Sequence, residues 1–560
     1  MKVIKDLSVP MRDGVHLAMD LYCPDVQSRH AAVLLVTPYQ KDGAFDMPLG
    51  SDGRPIPSLP LPPLPPGLNP MLLSVKPLVD ADFVVAVADA RGTGFSEGTY
   101  DYYNLDGGPF DGYDLVEWLA TRPWCTGSVG IMGASAAAIY CYMTALTHPP
   151  HLRAMAANMH PGDFYFDQWY VGGVFRYENR ISWATGMYPR ISPIDPGDPG
   201  APAYERRRAV YEARFHQFGA RIAAGKNAAN LDWLTEMYAH KTYDEFWKRR
   251  SFIRRASDIE IPTLHGGVWF DHFIRGTLTS HEAIEVPKRL FVGPGNLATR
   301  GDLGDGGYGA LQVEWFDHFL RRSGNAAPEG PAARIYLLGK EDYVDEPVWP
   351  VPAVERPLFL RTGPSGSARS LNDGLLGSAP GRSEEPDVVA HDPGSPNRTP
   401  REVGDQRPFE TGCLTFTSPP LDADLEVVGT PHLVLYAESD APDVDWCVRL
   451  CDVDETGRSR LLNTGARKGS HARSHEHPRP LRPGEVYELD IEVWPIANLF
   501  RRGHRVRVDV STSDFPFFEC NPLPSVNRVL HDSERPSRLV LPVADRGRRR
   551  AGRRWARTGE

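Results

Sequence analysis

Two segments in the first third of the chain, AAVLLVTPY (31–39) and DFVVAVADARG (82–92), are valine-rich apolar runs with no polar alternation. A strand with one face in water alternates apolar and polar side chains; a run without alternation has to be covered on both faces. That points to a mainly parallel sheet sandwiched between helices. The intervening sequence agrees. GYDLVEWLATRPW (112–124) has helical spacing, with Leu115, Val116 and Leu119 on one side. Next come the strand-like SVGIMG (128–133), a turn at Ser135, a helix through Leu146 and the strand-like LRAMAANMH (152–160). This βαβ rhythm predicts a doubly wound α/β core.

The rhythm breaks between 163 and 257, where helical stretches rich in Tyr, Trp and Arg take over, such as AYERRRAVYEARFHQFGARIAAG (203–225). A helical block between two sheet strands reads as a cap over the sheet's edge. The sheet pattern returns in IPTLHGGVWFDHF (261–273) and RLFVGPG (289–295), then closes with the helix LQVEWFDHFLRR (311–322). Beyond 332, short segments such as RIYLLG, HLVLYAES, WCVRLCDV, YELDIEVW and HRVRVDVSTS lie between Gly/Pro/Asp turns, predicting an antiparallel sandwich of the jelly-roll kind. The expected layout is a doubly wound α/β core (1–160 and 258–332), an inserted helical cap (161–257), a jelly-roll β-sandwich (333–545) and a basic tail (546–560). PIPSLPLPPLPPGLNP (55–70) reads as a polyproline-type surface loop, and 363–406, rich in Gly, Pro, Ser and Asp, as a long loop.

Composition narrows the function classes. A net charge of −10 argues against nucleic acid as the partner, and RGRRRAGRRWARTGE (546–560) reads as a solvated terminus. No apolar run fits a signal peptide or a membrane span, so a cytoplasmic protein without a membrane partner is expected. Seven scattered cysteines fit reduced thiols. They lack metal-ligand spacing, and neither a metal nor a cofactor is expected. A small-molecule substrate is the expected partner, with a homo-oligomer left open.

The chemistry-bearing feature is Gly133-Ala134-Ser135 at the strand-to-helix turn. Gly-x-Ser at such a turn is a nucleophile elbow, which lifts the serine Oγ above the sheet. An α/β-hydrolase then requires an acid and a histidine, in that order along the chain. Asp271, just past its apolar run, stands where a sheet-borne acid belongs.

The chain resembles the CocE/NonD-type hydrolases, the family of cocaine esterase, α-amino-acid ester hydrolases and X-Pro dipeptidyl-peptidases. The resemblance is carried by VPMRDGVHLAMDLYCP, VTPYQK, VADARGTGFSEG, DGYDLVEWLATRPWCTGSVGIMGAS and WFDHFLRR, and later by RPGEVYELDIEVWPIANLFRRGHRVRVDVSTSDFPFF and NRVLHDSERPSRLVLPV. It implies an α/β-hydrolase core, a helical cap and a C-terminal jelly roll. It also implies that Ser135 is the nucleophile, Asp271 the triad acid, and Tyr39 the oxyanion-hole tyrosine, whose hydroxyl works with the Ala136 N–H.

The histidine that the resemblance calls for is missing. Relatives carry it in G-P-W-x-H; this chain has GPGNL, with Gly295 at the tryptophan and Leu297 at the imidazole. Beside the nucleophile, G-x-S-Y-x-G has become GASAAA. Leucine cannot take a proton from a serine, and a triad lacking a member keeps only the residual rate from oxyanion hole and binding. His160, after the strand that follows the nucleophile helix, is the candidate surrogate base. His272 is expected to point to the other side of the chain, and His265 and His318 to be structural. Trp169, Tyr165, Trp269 and Phe270 are candidate substrate-binding residues.

Three readings stay open from sequence. One is a serine hydrolase or acyl transferase acting through Ser135 on an ester or amide of a bulky apolar molecule. Another is a non-hydrolytic cyclase, isomerase or lyase that uses Asp271 and Tyr39 in an enlarged apolar pocket. The last is a non-catalytic ligand-binding protein.

Overall fold

The computed structural model describes residues 1–24, 28–41, 70–105, 110–187, 232–295, 307–322, 327–398 and 404–547. The proline-rich segment 55–69, the cap sequence 203–225, Leu297 and the tail 548–560 lie outside the described residues. The chain forms two compact units: 1–163 with 181–240 and 246–330, and 164–180 with 241–245 and 331–560.

Among the described residues the first unit contains eight strands: β1 (Lys2–Pro10), β2 (His16–Cys23), β3 (His30–Thr37), β4 (Val84–Asp89), β5 (Cys125–Ala134), β6 (Leu152–Asn158), β7 (Thr263–Val268) and β8 (Lys288–Gly293). They lie in the order β1-β2-β4-β3-β5-β6-β7-β8. The β1–β2 and β2–β4 pairs are antiparallel, and all pairs from β4 to β8 are parallel. The two runs without alternation supply β3 and β4, and every residue of both strands is buried. Strand order reverses between β3 and β5. In open α/β sheets such a switch point opens a crevice at the strands' carboxyl ends.

Helices cover the sheet: α1 (Pro70–Asp80), α2 (Asp111–Ala120), α3 (Ala136–Ala145), then α6 (Ile274–Ala283) and α7 (Tyr308–Arg321). Helix α2 buries Leu115, Val116 and Leu119, as its spacing predicted. Gly130 lets α7 approach β5 closely, since a Cβ there would lie 2.6 Å from the Phe316 ring. Between β6 and β7 the described elements include helices α4 (Tyr177–Met187) and α5 (Asp232–Ala239).

In the second unit the strands from Ala333–Leu337 to Arg538–Ala544 are β-paired, mostly antiparallel. The expectation of one long loop over 363–406 needs correction. Gly374–Gly377 pairs with Ala353–Arg361, and Asp387–His391 pairs with Ser525–Leu530. These strands are only 4 and 5 residues long, so their turn-forming neighbours hid them, and cross-strand pairing supplies their stability. The basic tail is anchored at its first residue: Arg546 donates to Glu346 at 3.0 Å and to Glu426 at 2.9 Å.

Candidate active site

Five consecutive strands deliver the candidate residues to one edge. Tyr39 follows β3, Ser135 follows β5, His160 follows β6, Asp271 follows β7 and Gly295 follows β8. All five positions are at carboxyl ends, and Tyr39 and Ser135 flank the switch point itself.

Ser135 has φ 57° and ψ −124°, a conformation that costs a non-glycine residue on the order of 1–3 kcal/mol. Its N–H donates to the Asn158 carbonyl at 2.9 Å, and its own carbonyl accepts from Ala138 at 3.0 Å. Gly133 makes the turn possible: a Cβ there would lie 2.4 Å from the Ala137 carbonyl. Serine at a helix N-cap ordinarily folds its Oγ back onto the helix amides. Here no such cap bond forms, and among the described residues Ser135 Oγ makes no hydrogen bond. The Ala136 N–H is buried and meets no acceptor among the described residues, which suits an oxyanion donor.

Tyr39 is held through its hydroxyl. The Trp183 indole N–H, from α4, donates to that oxygen at 3.0 Å. Trp183 belongs to an aromatic wall, stacking on Tyr103 (5.7 Å, 29°) and meeting Trp233 edge-on (5.8 Å, 67°). Tyr102 in turn stacks on Trp233 at 4.9 Å. Tyr102 and Tyr103 sit at φ 35° and 65°, two strained non-glycine residues in a row. Sequence reasoning missed this wall because left-handed tyrosines have no compositional signal. A cavity of about 170 Å³ shares Tyr103 with this wall and is also lined by Tyr140, Arg91 and Phe252 among others. Neither Ser135 nor Asp271 borders that cavity.

Asp271 sits in the turn after β7, with its side chain fully buried. Its N–H donates to Val268 O at 3.1 Å, and its carbonyl accepts from Ile274 at 3.2 Å. His272 does not point away, as the sequence reading expected. Its Nδ1 lies 3.4 Å from Asp271 Oδ1, with the ring 18% exposed. The expectation borrowed strand alternation, which ends at Val268; in the following turn adjacent side chains can share a side.

His160, the expected surrogate base, is committed elsewhere. The ring is buried, with Nδ1 3.1 Å from Pro161 O and Nε2 3.3 Å from the Tyr142 hydroxyl. Tyr142 also meets His265 Nε2 at 2.8 Å, and His265 Nδ1 meets His281 Nδ1 at 3.1 Å. One proton arrangement satisfies the whole chain with neutral rings. His160 Nδ1–H donates to Pro161 O, Tyr142 O–H to His160 Nε2, His265 Nε2–H to Tyr142 O, and His281 Nδ1–H to His265 Nδ1. Burial lowers the pKa of His160 to about 4 and of His281 to about 3, in keeping with neutral rings. With both nitrogens engaged, His160 serves this buried network rather than Ser135.

The other candidates separate. Trp269 is buried, and its N–H donates to Gly293 O at 3.1 Å; Phe270, half-buried, donates to Gly295 O at 3.2 Å. Tyr165 and Trp169 belong to the second unit. There the Tyr165 hydroxyl donates to Lys241 O at 2.9 Å, and Trp169 is fully buried 5.9 Å from the Phe175 ring. His265 lies inside β7, as expected of a structural residue.

Strand order, elbow and edge together define an α/β-hydrolase-fold enzyme with a β-rich C-terminal domain. Residues 13–296 match the family model of the X-Pro dipeptidyl-peptidases (S15 family), and 325–540 match the X-Pro dipeptidyl-peptidase C-terminal non-catalytic domain. The chain belongs to this X-Pro dipeptidyl-peptidase (S15) family. Cocaine esterase of Rhodococcus sp. (strain MB1 Bresler) is 27% identical over 603 residues, spanning 97% of this chain and 99% of its own length. An α-amino acid ester hydrolase structure superimposes with a TM-score of 0.77 at 22% identity, covering 97% of this chain and 96% of that one. An aminopeptidase from a marine sediment Thaumarchaeota archaeon gives the same TM-score, 0.77, at 21% identity, covering 97% of both chains. Relatives of this type are esterases and peptidases.

Proposed function

We propose that this protein is an ester or amide hydrolase, or acyl transferase, that acts through Ser135 on a molecule with a bulky apolar group. The observation that carries this reading is the strained Ser135 elbow, with its Oγ unspent as a cap beside an orphan Ala136 N–H. Backbone strain of that size persists where surrounding structure enforces it, and a nucleophile elbow is such a place. In the proposed reaction, Ser135 Oγ attacks the carbonyl carbon, and the oxyanion is held by the Ala136 N–H and Tyr39 O–H. The leaving alcohol or amine departs with a proton, and water or an acceptor alcohol then releases the acyl group. The aromatic wall of Tyr102, Tyr103, Trp183 and Trp233 beside Tyr39 supports a large apolar substrate. The seven unpaired thiols are in keeping with a reducing, cytoplasmic setting.

We assign the proton relay to His272, the ring that lies beside the Asp271 carboxylate. Among the described residues no hydrogen bond is seen between His272 and Ser135 Oγ, and the assignment has the imidazole reach the hydroxyl in the substrate complex. Catalytic hydrogen bonds commonly tighten only in the substrate complex. Turnover of a panel of activated aryl esters tests the assignment. Wild type is expected to hydrolyse them, Ser135→Ala to lose the reaction, and His272→Ala to fall about 100-fold, the usual size of a general base's contribution. A His272→Ala enzyme at wild-type rate would remove His272 from the mechanism.

A second reading is favoured by one observation: among the described residues no imidazole is hydrogen bonded to Ser135 Oγ. In that reading Asp271 and Tyr39 handle protons in a cyclisation, isomerisation or elimination, and no acyl-enzyme forms. Product formation that requires Asp271 but survives Ser135→Ala would select it.

A further inference from the structure

We propose that Trp183 is a positioning residue for the oxyanion hole, holding the Tyr39 hydroxyl so that its proton is aimed at the substrate oxygen. This deepens the hydrolytic reading above and rests on it. The direction of the contact is fixed by chemistry. An indole nitrogen only donates, so at 3.0 Å Trp183 gives the hydrogen and Tyr39 O receives it. Tyr39 therefore keeps its own proton as a donor, and the Trp183 contact restricts the directions in which the O–H can point. A donor on the phenol oxygen also polarises its O–H, by about 10–30% in condensed-phase estimates of such chains.

Trp183 is itself packed among rings. It stacks on Tyr103 and meets Tyr102 edge-on at 6.1 Å and 89°. Both tyrosines sit at positive φ, so their rings are presented by a backbone turn that would relax if the packing were lost. Trp183 lies in α4, in the stretch inserted between β6 and β7. The two oxyanion donors thus have different supports. Ala136 is fixed by the sheet and α3, whereas Tyr39 is tuned by the inserted helix. A change in the seating of α4 would alter the chemical step without touching Ser135.

A double-mutant cycle with an activated aryl ester tests this. Trp183→Phe keeps an aromatic ring and removes the donor. It is expected to lower kcat about 5- to 20-fold with KM within about twofold, as loss of support for one transition-state donor should. In a Tyr39→Phe background, the same change should alter kcat less than about twofold, because the group it supports is gone. Equal losses in both backgrounds, or a loss carried wholly by KM, would overturn the inference and reduce Trp183 to pocket lining. Absence of turnover in the wild type would overturn the hydrolytic reading and this inference together; turnover with additive losses would overturn this inference alone.

Discussion

The Phe270 N–H donates to the Gly295 carbonyl at 3.2 Å, tying the turn that carries Asp271 to the segment that leads to Leu297. The Trp269 N–H donates to Gly293 O at 3.1 Å, a second tie between the two strand ends. In the family pattern G-P-W-x-H the imidazole falls on residue 297, and restoring one there is expected to supply a base. Leu297→His is expected to raise kcat/KM for aryl esters by about 100-fold, the lower end of the usual range for a general base. An unchanged rate would mean that the site no longer uses that position.

Tyr39→Phe removes one of the two proposed oxyanion donors and leaves the ring in place. The expected effect is a fall in kcat of about 10²–10³, with KM little changed. A fall confined to KM would place Tyr39 in substrate binding alone.

The buried histidines give the first unit an acid-sensitive window. His160 has a folded pKa of about 4 against an ordinary value near 6.5, so the unfolded chain binds more protons between those values. Stability is complete above about pH 6.5 and is lost as pH falls toward 4, by roughly 3 kcal/mol for this one residue at most. Melting temperature measured from pH 7.5 to 4.5 should fall steadily. Tyr142→Phe, which breaks the network at its centre, should lower stability at pH 7.5 by about 1–3 kcal/mol through an unsatisfied imidazole.

In the second unit His531 works in the opposite direction. Burial alone would lower its pKa, but hydrogen bonds and charge from Asp387 (3.1 Å) and Glu384 (3.0 Å) outweigh burial and raise it. With a carboxylate at each nitrogen, protonation of the ring is favoured. Its contribution is complete below about pH 6.5 and is lost as pH rises through the raised folded value. Asp387→Asn should remove that alkaline loss and shift the stability maximum upward in pH. A profile unaltered by the substitution would contradict the bridging role.

The sequence made the fold legible where burial left no choice. Strands β3 and β4 announce themselves because both faces are covered, and Gly133 marks the elbow because only glycine fits against Ala137. The site was legible as far as each side chain's position follows from its strand end, as for Ser135, Asp271 and Tyr39. It failed where orientation depends on neighbours far along the chain. His160 was placed at the correct edge, yet its ring turns into the network with Tyr142, which lies 18 residues away in sequence. His272 was misjudged because strand alternation stops before the turn that holds it. The link from Trp183 to Tyr39 spans 144 residues and leaves no local pattern.

The most direct test is covalent labelling. An aryl fluorophosphonate reacts with a serine Oγ only when the hydroxyl is activated and an oxyanion hole receives the developing charge. Incubation followed by peptide mass mapping should find one phosphonylated residue, Ser135, with labelling abolished in Ser135→Ala and slowed in His272→Ala. Full recovery of unmodified Ser135 peptide from a folded, ligand-competent protein would contradict the account.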